Sequence, residues 1–111
     1  MPAAKCFYCD KVIIAGREHK KRDYLHTRDH IYPSSMKFTP ELKARIGEAI
    51  SNGLNTVPCC AACNSYKGRL EPLDWLVIMP DNGRAAALAQ RLVKMGEDME
   101  AVFSAMRRRK R

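Results

Sequence analysis

At 111 residues, with 20 Lys and Arg against 12 Asp and Glu and a net charge of +8, the chain has room for one domain. It also lacks the eighteen-residue apolar run of a membrane span. Five of the positive charges are Arg107, Arg108, Arg109, Lys110 and Arg111, and without them the balance falls to +3, so the basicity is mainly a C-terminal tail. Such a tail either meets a polyanion, nucleic acid ahead of an anionic membrane, or only keeps the chain in solution.

The start, MPAAKCFYCD, has no long apolar stretch of a secretory signal. That predicts a cytoplasmic protein whose five cysteines stay reduced, which favours metal ligation over disulfides. Cys6 and Cys9 form a first cysteine turn with Phe7 and Tyr8 packed near it. Residues 11–14 (KVII) read as a short strand ended by Ala15-Gly16, and the charged stretch 17–23 as a solvated loop.

Residues 24–32 read as a strand that stops at Pro33. Alternation puts Leu25, Thr27, Asp29 and Ile31 on one face and His26, Arg28, His30 and Tyr32 on the other. Asp29 and His30 can therefore serve one site only at a strand end or bulge. A helix is predicted over 39–51, with Thr39 as cap, Pro40 in the first turn, a stripe of Leu42, Ile46, Ala49 and Ile50, and Asn52-Gly53 as its end. Residues 54–58 read as extended, with a helix beginning near Cys60.

Glu71-Pro72 breaks that helix, and 73–79, with Trp75 as a core residue, reads as another. A last helix is predicted over 84–106. Along it Ala85, Leu88, Leu92, Met95, Met99, Val102 and Met106 recur at spacings of three and four. That stripe either lies across the chain's own domain, the preferred reading and a monomer, or forms the seam of a dimer.

Two Cys-x-x-Cys pairs, Cys6 with Cys9 and Cys60 with Cys63, supply the four soft ligands of a tetrahedral Zn²⁺ site. Cys59 is left over and reads as a small buried residue. The pairs stand fifty residues apart, against roughly 15–20 in a plain zinc ribbon. Something is therefore inserted between the knuckles, and that insert holds Asp29-His30 and Asn55.

The strings TRDHIYPS (27–34) and NTVPCCAACNSYKG (55–68) resemble the HNH endonucleases, and more closely their members stapled by two Cys-x-x-Cys pairs. The resemblance covers Cys6 to about Leu76. A Gly-Gly turn common in the family after Pro-x-Ser is absent, and residues 36–53 insert the helix described above. The resemblance implies a small α+β fold. Its ββα-metal core, treble-clef-like, would be stapled by a zinc on four cysteines, with the inserted helix and a long C-terminal helix added. Residues 1–80 would form the nuclease domain, and 81–111 a helix and basic tail packed on it.

The family's signature positions fall on His30, Asn55 and Asn64. His30 would be the general base, since an imidazole titrates near neutral pH. Asn55 would position the strand and His30. Asp29 and Asn64 would hold a divalent ion, Mg²⁺ or Mn²⁺, acting on DNA. Arg28, Lys67 and the tail from Arg107 to Arg111 are the candidate DNA contacts. A non-catalytic zinc-stapled nucleic-acid-binding module of the same fold is the alternative. Lys67 laying its stem over the helix and Asn64 only bracing it are the plain competitors.

Overall fold

In the computed structural model of the protein, which describes residues 4–13 and 26–109, four of the five described helices begin where a side chain supplies an acceptor for a first free N–H group. Thr39 Oγ1 accepts from Leu42 N at 3.2 Å and opens α1 (Pro40–Ser51), with Pro40 at a position that needs no donor. Ile46 and Ala49 of its stripe are buried, while Ile50 lies at the surface. The chain leaves α1 through Asn52 and Gly53, whose φ of 82° is one that glycine adopts without strain.

Two small antiparallel sheets and five helices make an α+β fold among the described residues. Strands β1 (Ala4–Lys5) and β2 (Val12–Ile13) flank the first cysteine turn. Strands β3 (His26–His30) and β4 (Thr56–Cys60) pair in a second sheet, with Thr27 opposite Cys59, Asp29 opposite Val57 and Arg28 opposite Pro58. Alternation then separates the faces. Asp29, Val57 and Cys59 are buried, whereas Arg28, His30 and Pro58 are exposed. Helix α2 (Ala61–Lys67) follows β4 directly and packs across both strands. Residues 14–25, which include the charged loop and the first two positions of the predicted strand, lie outside the described residues.

Pro72 starts α3 (Pro72–Ile78) as well as ending what precedes it. Trp75 is fully buried there, edge-on to Tyr8 at 5.3 Å and to Tyr66 at 5.6 Å. No helix among the described residues is long and apolar enough to cross a membrane.

The predicted single C-terminal helix is two. Helix α4 (Asn82–Met95) ends at Gly96, which has φ 111° and sends its N–H back to the carbonyls of Leu92 and Val93. Glu97 N reaches Leu92 O at 2.9 Å, so glycine closes the helix with a left-handed cap. Asp98 then caps α5 (Met99–Arg108), accepting from Ala101 N at 3.0 Å, and the chain folds back as a hairpin.

The stripe read as a heptad is mostly interior. Ala85, Leu88, Leu92, Met95 and Val102 are buried in the chain's own core, while Met99 breaks the pattern at 53 % exposure. The hairpin lies against α1 and α3. A Cβ on Gly96 would stand 2.3 Å from Arg45 O of α1, which no real contact allows. Gly96→Ala is therefore expected to lose at least about 2 kcal/mol, from positive φ and the displaced α1 together, measured as a fall in the denaturation midpoint.

Candidate metal centre and adjoining oxygen site

The two cysteine turns come together. Sγ atoms of Cys6, Cys9, Cys60 and Cys63 all lie within 4.8 Å of one another. A Zn–S bond near 2.3 Å sets the edge of a tetrahedron at about 3.8 Å. Cys9 Sγ and Cys60 Sγ are 3.8 Å apart. The donor set fits a structural zinc ion, which Cys6, Cys9, Cys60 and Cys63 would hold.

Each turn is built for thiolates. Tyr8 N points at Cys6 Sγ and Cys63 N at Cys60 Sγ, both at 3.4 Å, so backbone dipoles favour negative sulfur. Asp10, with φ 64°, takes the left-handed residue that closes the first turn, and its N–H returns to Cys6 O at 2.9 Å. Hydrogen bonds with Cys59 and Cys63 pull the Cys6 thiol down. Burial pushes Cys9 up to about 11, and hydrogen bonding to Cys6, followed by burial, pushes Cys63 up. Four thiolates this close together require a cation between them.

The first turn is clamped from outside. Phe7 N donates to Pro58 O at 2.8 Å, joining the turn to β4. Arg84 and Arg91 stack on the Phe7 ring at 5.2 and 5.0 Å, and Arg84 Nε also donates to Phe7 O. Two cations of α4 thus brace the turn, and neither was picked out from the sequence.

Next to the cluster lies a second, oxygen-lined constellation on the inner face of β3. Asp29 Oδ2 accepts from Tyr8 Oη at 2.6 Å and pairs with Lys67 Nζ at 3.2 Å. Lys67 Nζ also donates to His30 O at 3.1 Å. Burial first, and then the Asp29 carboxylate, push the Tyr8 phenol far above its usual 10, so it stays a donor. Among the described residues no donor reaches Asp29 Oδ1.

Asn64 is oriented by elimination. Thr27 Oγ1 gives its one proton to Cys59 O at 2.7 Å, so it can only accept from Asn64 Nδ2, which stands 3.1 Å away. The Asn64 amide oxygen is thereby turned away from Thr27. Two protein oxygens, Asp29 Oδ1 and Asn64 Oδ1, are left without a described donor. A hard cation that keeps several waters and meets phosphate takes a donor set of this kind. Asp29 and Asn64 are the residues that would hold such an ion, with Lys67 neutralising part of the carboxylate.

Asn55 is 6 % exposed and grips the backbone just past His30. Its Oδ1 accepts from Tyr32 N at 2.7 Å, its Nδ2 donates to Tyr32 O at 3.1 Å, and its carbonyl accepts from Ile31 N at 2.8 Å. Tyr32 Oη donates to Glu97 at 2.7 Å, tying this turn to the α4–α5 corner. His30 is the last residue of β3 and is exposed, on the face opposite buried Asp29.

Two predicted DNA contacts are corrected. Lys67 does sit one helical turn from Asn64, facing β3, but its side chain is fully buried in the Asp29 pair and reaches no surface phosphate. Arg109 is no free tail residue either. Its guanidinium donates to Leu76 O, to Met79 O at 2.8 Å and to Asn82 Oδ1, satisfying the carbonyls at the end of α3. Arg28, Arg107 and Arg108 are exposed; Lys110 and Arg111 lie outside the described residues.

Tyr8 and Thr27 were missed as site residues. A buried carboxylate needs donors, and Tyr8, a polar-tipped aromatic inside a cysteine turn, was an available one. Scans of this chain against models of protein families, curated proteins and solved structures find no match.

Proposed function

We propose that the chain is a metal-dependent endonuclease of the HNH kind that hydrolyses phosphodiester bonds in DNA, with β3, β4 and α2 as its ββα-metal core. The observation that carries this reading is α2 laid on the inner face of β3, with Asn64 bonded to Thr27 and Lys67 to Asp29, next to His30 at the end of the same strand. When bound by Asp29 and Asn64, Mg²⁺ or Mn²⁺ supplies Lewis acidity toward the phosphate and the leaving 3′ oxygen.

The remaining work belongs to the chain's own groups. His30, exposed and with its ring free of hydrogen bonds among the described residues, takes the proton of the attacking water. Asn55 keeps the turn after His30 from shifting by holding both backbone groups of Tyr32. Arg28 shares the outer face of β3 with His30 and meets a phosphate there; Arg107 and Arg108 add exposed charge at the end of α5. Zinc is structural in this reading and takes no part in hydrolysis.

A non-catalytic DNA-binding module is favoured by one feature, the ammonium of Lys67 already lying against Asp29. Supercoiled plasmid separates the two. With Mg²⁺ or Mn²⁺ the wild-type chain should nick it, and His30→Ala should lose cleavage by at least about 100-fold while keeping DNA affinity. A His30 variant that cuts normally removes the base assignment, and a wild-type chain that binds without cutting selects the module.

A further inference from the structure

We propose that Tyr8, carried by the Cys6–Cys9 turn, is a positioning residue for the second metal, its hydroxyl fixing which oxygen Asp29 presents. The inference rests on the endonuclease reading of Asp29 and Asn64 and adds to it a positioning residue.

Asp29 Oδ2 has two donors, and each comes from a different half of the clasp. Tyr8 lies inside the Cys6–Cys9 turn. Lys67 ends the helix that begins at Cys60 and carries Cys63. A carboxylate turns easily about its last side-chain bond, because that torsion is broad and two-fold. Two donors on one oxygen stop this rotation and leave Oδ1 as the outward acceptor.

The Tyr8 side chain has no freedom of its own. It is fully buried, edge-on to Trp75 at 5.3 Å and to Phe7 at 5.5 Å, and its backbone N–H is held by Cys6 Sγ. Wherever the cysteine turn goes, the hydroxyl goes too.

Tyr8→Phe tests this while sparing the ring and its packing. The readouts are zinc content and Mn²⁺ affinity of the zinc-loaded protein, the latter from the electron paramagnetic resonance signal of free Mn²⁺, without DNA. The expected result is unchanged zinc and a Mn²⁺ Kd raised about 10-fold or more, the scale of a lost hydrogen bond to a charged group. Tyr66→Phe removes a phenol that also packs on Trp75 but makes no bond to Asp29, and should leave Mn²⁺ affinity near wild type.

Equal Mn²⁺ affinity in Tyr8→Phe and wild type overturns the positioning role and leaves the endonuclease reading standing. An equal loss in Tyr66→Phe also overturns it, since general loosening around Trp75 would then be the cause. A wild-type chain that binds no Mn²⁺, with DNA or without, removes the Asp29–Asn64 metal site and this inference with it.

Discussion

Excess chelator at neutral pH is expected to unfold this protein, and Cys60→Ser is expected to do the same with no chelator present. The reason is the scale of the clasp relative to everything else. Structural zinc contributes about 10–16 kcal/mol of apparent binding free energy at pH 7, against about 5–15 kcal/mol for the net stability of a whole domain. The N-terminal sheet has two strands of two residues each and cannot hold itself. It is fixed by Phe7 on β4 and by sulfurs 51 residues apart, Cys9 and Cys60.

Loss of zinc should therefore free Tyr8 from Trp75 and abolish the near-ultraviolet circular dichroism of that packed pair. The effect has a direction with pH. Each ligand must give up a proton to bind, so zinc affinity falls as pH falls, and less chelator should suffice at pH 6 than at pH 8. A metal-free chain that still melts cooperatively at the wild-type temperature would contradict the assignment of the four cysteines.

Lys67→Met is expected to lose about 3–5 kcal/mol, the cost of leaving one partner of a buried ion pair unpaired. Tyr8 alone would then face an Asp29 carboxylate that is 6 % exposed. For a chain of this length the loss should lower Tm by roughly 10–20 °C. Pairing the change with Asp29→Asn should recover much of it, because a neutral amide needs no counter-charge. Thermal unfolding of the zinc-saturated variants measures both. A loss below about 1 kcal/mol, the scale of an exposed pair, would mean that Lys67 is not sealed in.

Legibility from sequence varied with the range of the interaction. Thr39 and Pro40 announce α1 because a cap acts within one turn, and Cys60 and Cys63 announce a metal turn because the ligand spacing is local. The bend at Gly96 is hidden from the sequence. Spacings of three and four continue through it, since Met95, Val102 and Met106 face the core on both sides of the bend. Glycine alone costs only about 1 kcal/mol inside a helix, too little to overrule the pattern. The closeness of Arg45 O, which requires glycine there, is supplied by α1 from 51 positions away.

Lys67 and Arg109 illustrate the same limit with charge. Both read as candidate DNA contacts, because a lysine or arginine is almost never buried unless paired. Their partners, Asp29 for one and the α3 carbonyls for the other, lie 38 and about 30 residues distant in the chain. Nothing in the local string at 64–68 or 107–111 distinguishes a paired cation from a free one.

By itself, then, the sequence determined the four cysteines that come together, the start of α1, and the alternation that turns Asp29 inward and His30 outward on β3. These depend on caps, spacings and the two-residue period of a strand, which act over a few residues. Only the tertiary structure decided that Tyr8 and Lys67 share one oxygen of Asp29, that Thr27 turns the Asn64 amide, and that the C-terminal stripe folds back at Gly96. Burial and hydrogen-bond partnership are properties of neighbours in space, and those neighbours are chosen by packing across the whole chain.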